Sequence, residues 1–156
     1  MSEQQMVVTF PGGKRVDALY DGFHIQTDQN PRYGGDGTAP EPFDLFLASL
    51  ATCAGIYVLG FCERRDLPTD GLRLVQRWFK DPKGRLETIA LDIQLPDEFP
   101  EKYRAAVIRA AQQCTVKKTL ENPPRFEVRT VSAEEGAVNE VGASRPVGGL
   151  PTIAPR

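Results

Sequence analysis

Hydrophobic and polar positions alternate with a period of two in short runs, among them "ETIALDIQLP" and "RFEVRTV", and two longer stretches read as helices. Met6 to Phe10, "MVVTF", is β-rich and ends at the turn signal "PGGK". That leads into "RVDALY" and, past Asp21 and Gly22, into "FHIQT", so the pattern predicts a three-stranded meander. Asp28 to Pro42, "DQNPRYGGDGTAPEP", is too rich in glycine and proline for regular structure and is predicted to be a long loop, a kind of segment that often carries function. A helix is predicted from Pro42 to Arg65, with the proline in the first turn where its missing N–H does no harm. Two strands follow, "LRLVQRWFK" and "ETIALDIQLP", joined by the turn "DPKGR". The second alternates, with Ile89, Leu91, Ile93 and Leu95 on one face. Pro100 to Leu120 is predicted to be a second helix with Tyr103, Val107, Ala110, Ala111 and Cys114 on its apolar face. "NPP" then breaks the chain, and "RFEVRTV", Arg125 to Val131, alternates as a last strand. The order βββ-α-ββ-α-β makes an α+β domain over residues 1–131. Residues 132–156, with scattered glycine and proline and no period, are expected to form an extended or disordered tail.

Within the first helix, Leu45 to Cys62 is eighteen residues without a charge, at the lower edge of what a membrane span needs. Small residues on several of its faces and amphipathic elements on both sides, which need a core to pack on, favour a central buried helix over a membrane span. The 156 residues suit one domain with a real core. With 40% hydrophobic and 26% charged residues and a net charge of -2, the chain lacks the clustered basic charge of a nucleic-acid platform. "MSEQQMVVTF" has neither the basic start nor the apolar core of a secretory signal, and a cytoplasmic protein is expected.

Candidate chemistry resides in the cysteines. Cys53, Cys62 and Cys114 are odd in number and widely spaced, which fits neither a disulfide framework nor a zinc motif, and the single histidine adds no metal set. Free thiols in a reducing compartment remain. Cys53 and Cys62, nine positions apart on an ideal helix, differ by about 900° and roughly 13.5 Å of rise, so they face opposite ways and cannot bond to each other. Cys62 reads as a packing residue. Cys114 ends the second helix's apolar face, close to Lys117 and Lys118, a basic flank that can lower a thiol's pKa. Spacing alone leaves open whether Cys53 and Cys114 are inert core residues or a reactive pair. His24 is expected to be half-exposed surface, and Trp78 and Phe79 to be packing residues rather than a base-stacking platform.

Two stretches resemble a known family. "APEPFDLFLASLATCAGIYVLGFCERRDLP" is similar to the signature of the OsmC/Ohr family of thiol-dependent hydroperoxide reductases, in which "LA-x-LA-x-C" delivers the nucleophilic cysteine. "AAQQCTVKKTL" is similar to that family's second-helix motif, Cys-Pro-Val followed by Thr-Leu. With the element order, the resemblance spans about residues 6 to 131. It implies an α+β fold in which curved sheets wrap the central helices of an intertwined homodimer, with two active sites at the interface.

The resemblance also implies a mechanism. Cys53 as thiolate attacks an organic hydroperoxide and becomes a sulfenic acid, Cys114 condenses with it to a disulfide, and a dithiol reductant of the dihydrolipoyl kind restores both. No metal or other cofactor is implied. The family places an arginine beside the thiolate. Here "GGKR" makes Arg15 the first candidate, with Lys14 on the strict alignment, and Arg32 in "NPRYGGDG" the second. The family's orienting glutamate is replaced by Asp44, or by Glu41 outside the helix, and the proline after its second cysteine is Thr115. These departures place the chain in a divergent OsmC-like branch. The alternative from another class is a noncatalytic dimer that binds or senses a small apolar ligand in the same pocket.

Overall fold

The structure, a computed structural model, describes residues 4–132, which fall into two compact units. The expected tail lies, apart from Ser132, outside the described residues.

Of the described residues, the first unit comprises 4–44 and 127–132. It contains the meander: β1 (Val7–Gly12), β2 (Arg15–Tyr20) and β3 (Phe23–Ile25), antiparallel in the order β1-β2-β3. Gly12 and Gly13 supply the positive φ that the first hairpin requires, and a bulge lies between Thr9 and Gly12. Beneath β2, buried Asp17 accepts from His24 Nε2 at 2.7 Å and from the Thr27 amide at 3.4 Å. The long loop is organised around one carboxylate. Asp28, fully buried, accepts from the amides of Gln29, Asp36 and Thr38 at 2.7, 3.3 and 3.0 Å and from the Thr38 hydroxyl at 2.7 Å. Hydrogen bonds from Thr38, the largest cause, hold the Asp28 carboxyl down at about 2. Gly35 closes this loop because a Cβ there would meet the Gln29 carbonyl oxygen at 2.0 Å.

The second unit, Leu45–Phe126, holds most of α1 (Pro42–Glu63), the hairpin β4 (Arg73–Lys80) and β5 (Leu86–Gln94), α2 (Arg104–Ala111) and α3 (Thr115–Glu121). Leu47, Leu50, Ala54, Val58, Phe61 and Cys62 recur every three or four residues along α1 and are buried. Ala54, Val58, Phe61 and Cys62 form a core with Phe99, Val107, Ala111 and Cys114, flanked by Leu74, Leu91, Ile93 and Leu95. The remaining faces of α1 are apolar too, yet Phe43 and Ile56 are exposed and only 33% of its apolar eighteen-residue window is buried. The helix is long and apolar enough to cross a membrane by length and composition. Its C-terminus closes with Asp66 at φ 49° and the Leu67 amide on the Cys62 carbonyl at 3.0 Å, two residues before the predicted end.

Three expectations need correction in detail. The second helix is two helices, because Cys114, at φ -47° and ψ 121°, leaves the helical region between α2 and α3. Its sulfur accepts the Lys117 amide at 3.4 Å, the bond a capping side chain makes at a new helix start. Residues 125–131 form no strand: Phe126 and Val128 are 86% and 96% exposed, and among the described residues no strand pairs with them. Alternation shows only that a segment suits a sheet, whereas forming one requires a neighbour to take its backbone hydrogen bonds. Trp78 and Phe79, expected to pack, are exposed on β4.

Candidate active site

In the second unit the structure brings Cys53 and Cys114 together. Cys53 lies half-buried midway along α1, and Cys114 is buried in the break before α3. Both are free thiols, and each shifts the ionisation of the other. The break in the second helix makes this possible. By leaving the helix at Cys114, the chain turns the first amides of α3 toward sulfur. The Val116 and Thr115 backbone N–H groups act on Cys53 to favour its thiolate, and the Lys117 amide donates to Cys114 at 3.4 Å.

These donors split the pair. At Cys53 burial is the largest influence and pushes the thiol up. The Val116 amide, the Cys114 thiol and the Thr115 amide together outweigh it and hold Cys53 below the ordinary thiol value of 9.0. Cys114 is pushed above that value, first by burial and then by the adjacent Cys53, with the Lys117 amide opposing. The pair therefore ionises first at Cys53 and keeps its proton on Cys114. That proton has a second acceptor in the Leu50 carbonyl at 3.9 Å. Cys62, fully buried in the core, is raised by burial and reads as the expected packing residue.

A cavity of about 730 Å³ in this unit lies beside Cys114, walled by Leu50, Ala54, Leu91, Ile93, Val107 and Ala111. Gln76, also on its wall, is fixed by its side-chain N–H on the Leu47 carbonyl at 2.9 Å. The β5 face read from alternation supplies the apolar wall, as such a strand should.

Arg15, Arg32 and Asp44 belong to the first unit. Arg15 starts β2, with Nε on the Gly12 carbonyl at 3.4 Å, and Arg32 sits in a single 3-10 turn, Pro31–Tyr33, whose amide is held by Asn30 at 3.0 Å. Neither guanidinium has a carboxylate partner among the described residues. Asp44 reaches back to the Glu41 amide at 3.0 Å, the reciprocal bond of a helix-start cap. His24 is exposed, as expected, and bound to Asp17. Among the described residues no group of His, Cys, Asp or Glu is arranged to hold a metal ion.

Reasoning from sequence missed the amides of Thr115 and Val116 and the hydroxyl of Tyr57, which bonds Thr115 Oγ1 at 3.0 Å. "QQCTV" contains no helix breaker, so the break that aims those amides carried no local signal. A proline after the cysteine would have marked a first helical position.

A family model for OsmC-like proteins matches residues 35–129, a span that contains both thiols. The chain belongs to the OsmC-like family. Solved structures agree on the fold. An OsmC-like protein from Mycoplasma pneumoniae superposes with a TM-score of 0.63 at 15% identity, over 78% of this chain and 89% of that one. A candidate osmotic stress induced and detoxification response protein from Psychrobacter arcticus 273-4 gives 0.62 at 24% identity, over 76% and 89%. An OsmC-like protein of unknown function from Vibrio cholerae O1 biovar eltor gives 0.56 at 15%, over 78% and 95%. No curated protein matches the sequence significantly. At these identities the likeness establishes the α+β OsmC-like fold and leaves the chemistry to the residues.

Proposed function

We propose that this OsmC-like protein is a thiol-dependent peroxidase of oxidative stress defence that reduces organic hydroperoxides to alcohols. The observation that carries this reading is the pair of thiols in one core with opposite tendencies to ionise, Cys53 held down by the Val116 amide, the Cys114 thiol and the Thr115 amide, and Cys114 held up by burial. Cys53 thiolate attacks the outer hydroperoxide oxygen. The O–O bond breaks, the alkoxide leaves and takes a proton to become the alcohol, and Cys53 is left as a sulfenic acid. Cys114 sulfur then attacks Cys53 sulfur, water departs and a disulfide forms. A dithiol reductant of the lipoyl type restores both thiols by exchange and is itself oxidised to a disulfide. Sulfur chemistry of this kind calls for no metal or organic cofactor, and it belongs in a reducing cytoplasm.

In this reading an arginine assists the leaving oxygen, with Arg15 the first candidate, Arg32 the second and Asp44 as a positioning carboxylate. The apolar surface that α1 leaves uncovered favours a homodimer in which a second copy, rather than a membrane or nucleic acid, covers it. A second reading, a noncatalytic dimer that binds a small apolar ligand, is favoured by the cavity beside Cys114.

Equimolar cumene hydroperoxide separates the two. Mass spectrometry of the wild type is expected to show a rapid Cys53–Cys114 disulfide. Cys114→Ser is expected to accumulate sulfenic acid at Cys53, and Cys53→Ser to be inert. If thiol loss at Cys53 is no faster than at Cys62, the peroxidase reading is wrong and the binding reading takes its place.

A further inference from the structure

Cys53 depends on two backbone amides, and α3, which supplies them, has little of its own to hold them in place. It is seven residues long and contains no buried residue. A helix that short does not sustain itself. Besides the interactions with Cys53 itself and the half-buried Val116 packed against the core, two polar contacts join the start of α3 to α1. One is the long contact of Cys114 Sγ with the Leu50 carbonyl at 3.9 Å, and another is the hydrogen bond of Tyr57 Oη with Thr115 Oγ1 at 3.0 Å. Tyr57 lies four residues beyond Cys53, one turn along α1 on the same face. Thr115 occupies the first position of α3. A proline, favoured at such a position, would carry neither the hydroxyl that Tyr57 binds nor the N–H that reaches Cys53.

We infer that Tyr57 is a positioning residue for the thiol pair: its hydrogen bond to Thr115 holds the backbone of Thr115 and Val116 against the turn of α1 that carries Cys53. Of the charged side chains of the same unit, Arg64, Arg65 and Arg109 line a cavity together with Tyr57, and Arg65 is held by the Phe61 carbonyl at 3.3 Å. Lys117 pairs with Glu121 at 3.2 Å and Lys118 with Gln113 at 2.6 Å on α3. Arg104 pairs with Glu101 at 2.6 Å beside α2, and Arg77 pairs with Asp92 across β4 and β5. The stretch of α1 from Leu45 to Cys62 has no charge. None of these charges is among the influences that set Cys53, which are burial, the Val116 amide, the Cys114 thiol and the Thr115 amide, and the placement of the two amides is what Tyr57 secures.

The inference rests on Cys53 being the reactive thiol, and its test needs no hydroperoxide. Iodoacetamide modification of Cys53, followed by mass spectrometry across pH, reports the thiolate directly. Tyr57→Phe is expected to move the profile to higher pH and to slow modification at pH 7 by about 3- to 10-fold, the loss that one weakened hydrogen bond predicts. Thr115→Val is expected to do the same. The double variant should be no slower than the slower single, since both changes cut one link. Thr115→Ser, which keeps hydroxyl and amide, should restore the wild-type profile. A Tyr57→Phe profile that superimposes on the wild type, or effects that multiply in the double variant, would overturn the inference. A wild type inert to cumene hydroperoxide overturns the peroxidase reading alone, because the alkylation profiles judge Tyr57 independently.

Discussion

Cys53 and Cys62 are the same residue on the same uncharged helix, nine positions apart, yet they meet opposite surroundings. Around Cys62 the chain offers only packing: the residue has 0% exposure in the core with Val58, Phe61 and Val107, and burial raises its thiol. Around Cys53 the chain places the break in the second helix, and the amides freed by that break together with the Cys114 thiol outweigh a burial penalty of the same sign. Position on an apolar helix therefore does not fix which way a cysteine's thiol is shifted. What makes the difference is whether a neighbouring backbone has ended a helix within reach, so that N–H groups without intrahelical partners point at the sulfur.

The sharpest way to break this comparison is to measure both thiols in one sample. At pH 7 in the folded protein, iodoacetamide is expected to modify Cys53 at least about 100-fold faster than Cys62, since the first is partly open with a lowered pKa and the second is closed with a raised one. In guanidinium-unfolded protein the two rates should converge to within about threefold, because only local sequence then distinguishes them. A preference that survives unfolding would mean that the fold does not create the difference.

Stability should rank the two residues the other way. Cys62→Ser places a hydroxyl in a fully apolar site and is expected to lower unfolding free energy by about 1 to 3 kcal/mol. Cys53→Ser, half-exposed and facing amides that a hydroxyl can also bond, should cost less than about 1 kcal/mol. Chemical denaturation of both variants checks this. Equal losses would show that Cys53 is as much a core residue as Cys62.

The contrast also marks what the sequence made legible. Apolar spacing identified α1, the alternating face of β5 and the buried stripe of Val107, Ala111 and Cys114, because burial of a face imposes a period. Family motifs singled out Cys53 and Cys114. Neither source disclosed the break at Cys114, which rests on a local cap from the Lys117 amide and on tertiary contacts with Leu50 and Cys53 rather than on a breaking residue. The Asp28 cluster was hidden for a similar reason. "DQNPRYGGDGTAPEP" announces a loop, but only a folded backbone shows that amides from Gln29 to Thr38 converge on one carboxylate. The segment 125–131 erred in the other direction. Its alternation is genuine, and its exposed Phe126 and Val128 lack a neighbouring strand among the described residues. Sequence periodicity reports which faces want burial, whereas the partner that satisfies them is decided at longer range.

The smallest effect separates the two cysteines by sign. A thiol whose folded pKa lies below the unfolded value near 9.0 adds stability as its thiolate forms. For Cys53 that contribution is fully present above about pH 9 and is lost as pH falls through its lowered folded value. Cys62 is raised, so the unfolded chain releases its proton first, and stability is lost as pH climbs past 9.0 toward the folded value. Wild-type stability between neutral pH and pH 10 is therefore a sum of opposed slopes. In a Cys114→Ala background, which removes the other titrating thiol of the pair, Cys53→Ser should lose the rising component and decline more steeply with pH, while Cys62→Ala should lose the falling component and decline less. Denaturant midpoints taken at half-unit pH steps, with the Cys114→Ala protein as reference for all other alkaline titrations, would show the two difference curves diverging with opposite sign. Difference curves of the same sign would mean that the amides at Cys53 do not overcome its burial. In that case the helix break at Cys114 is a packing feature, and the two cysteines of α1 are alike after all.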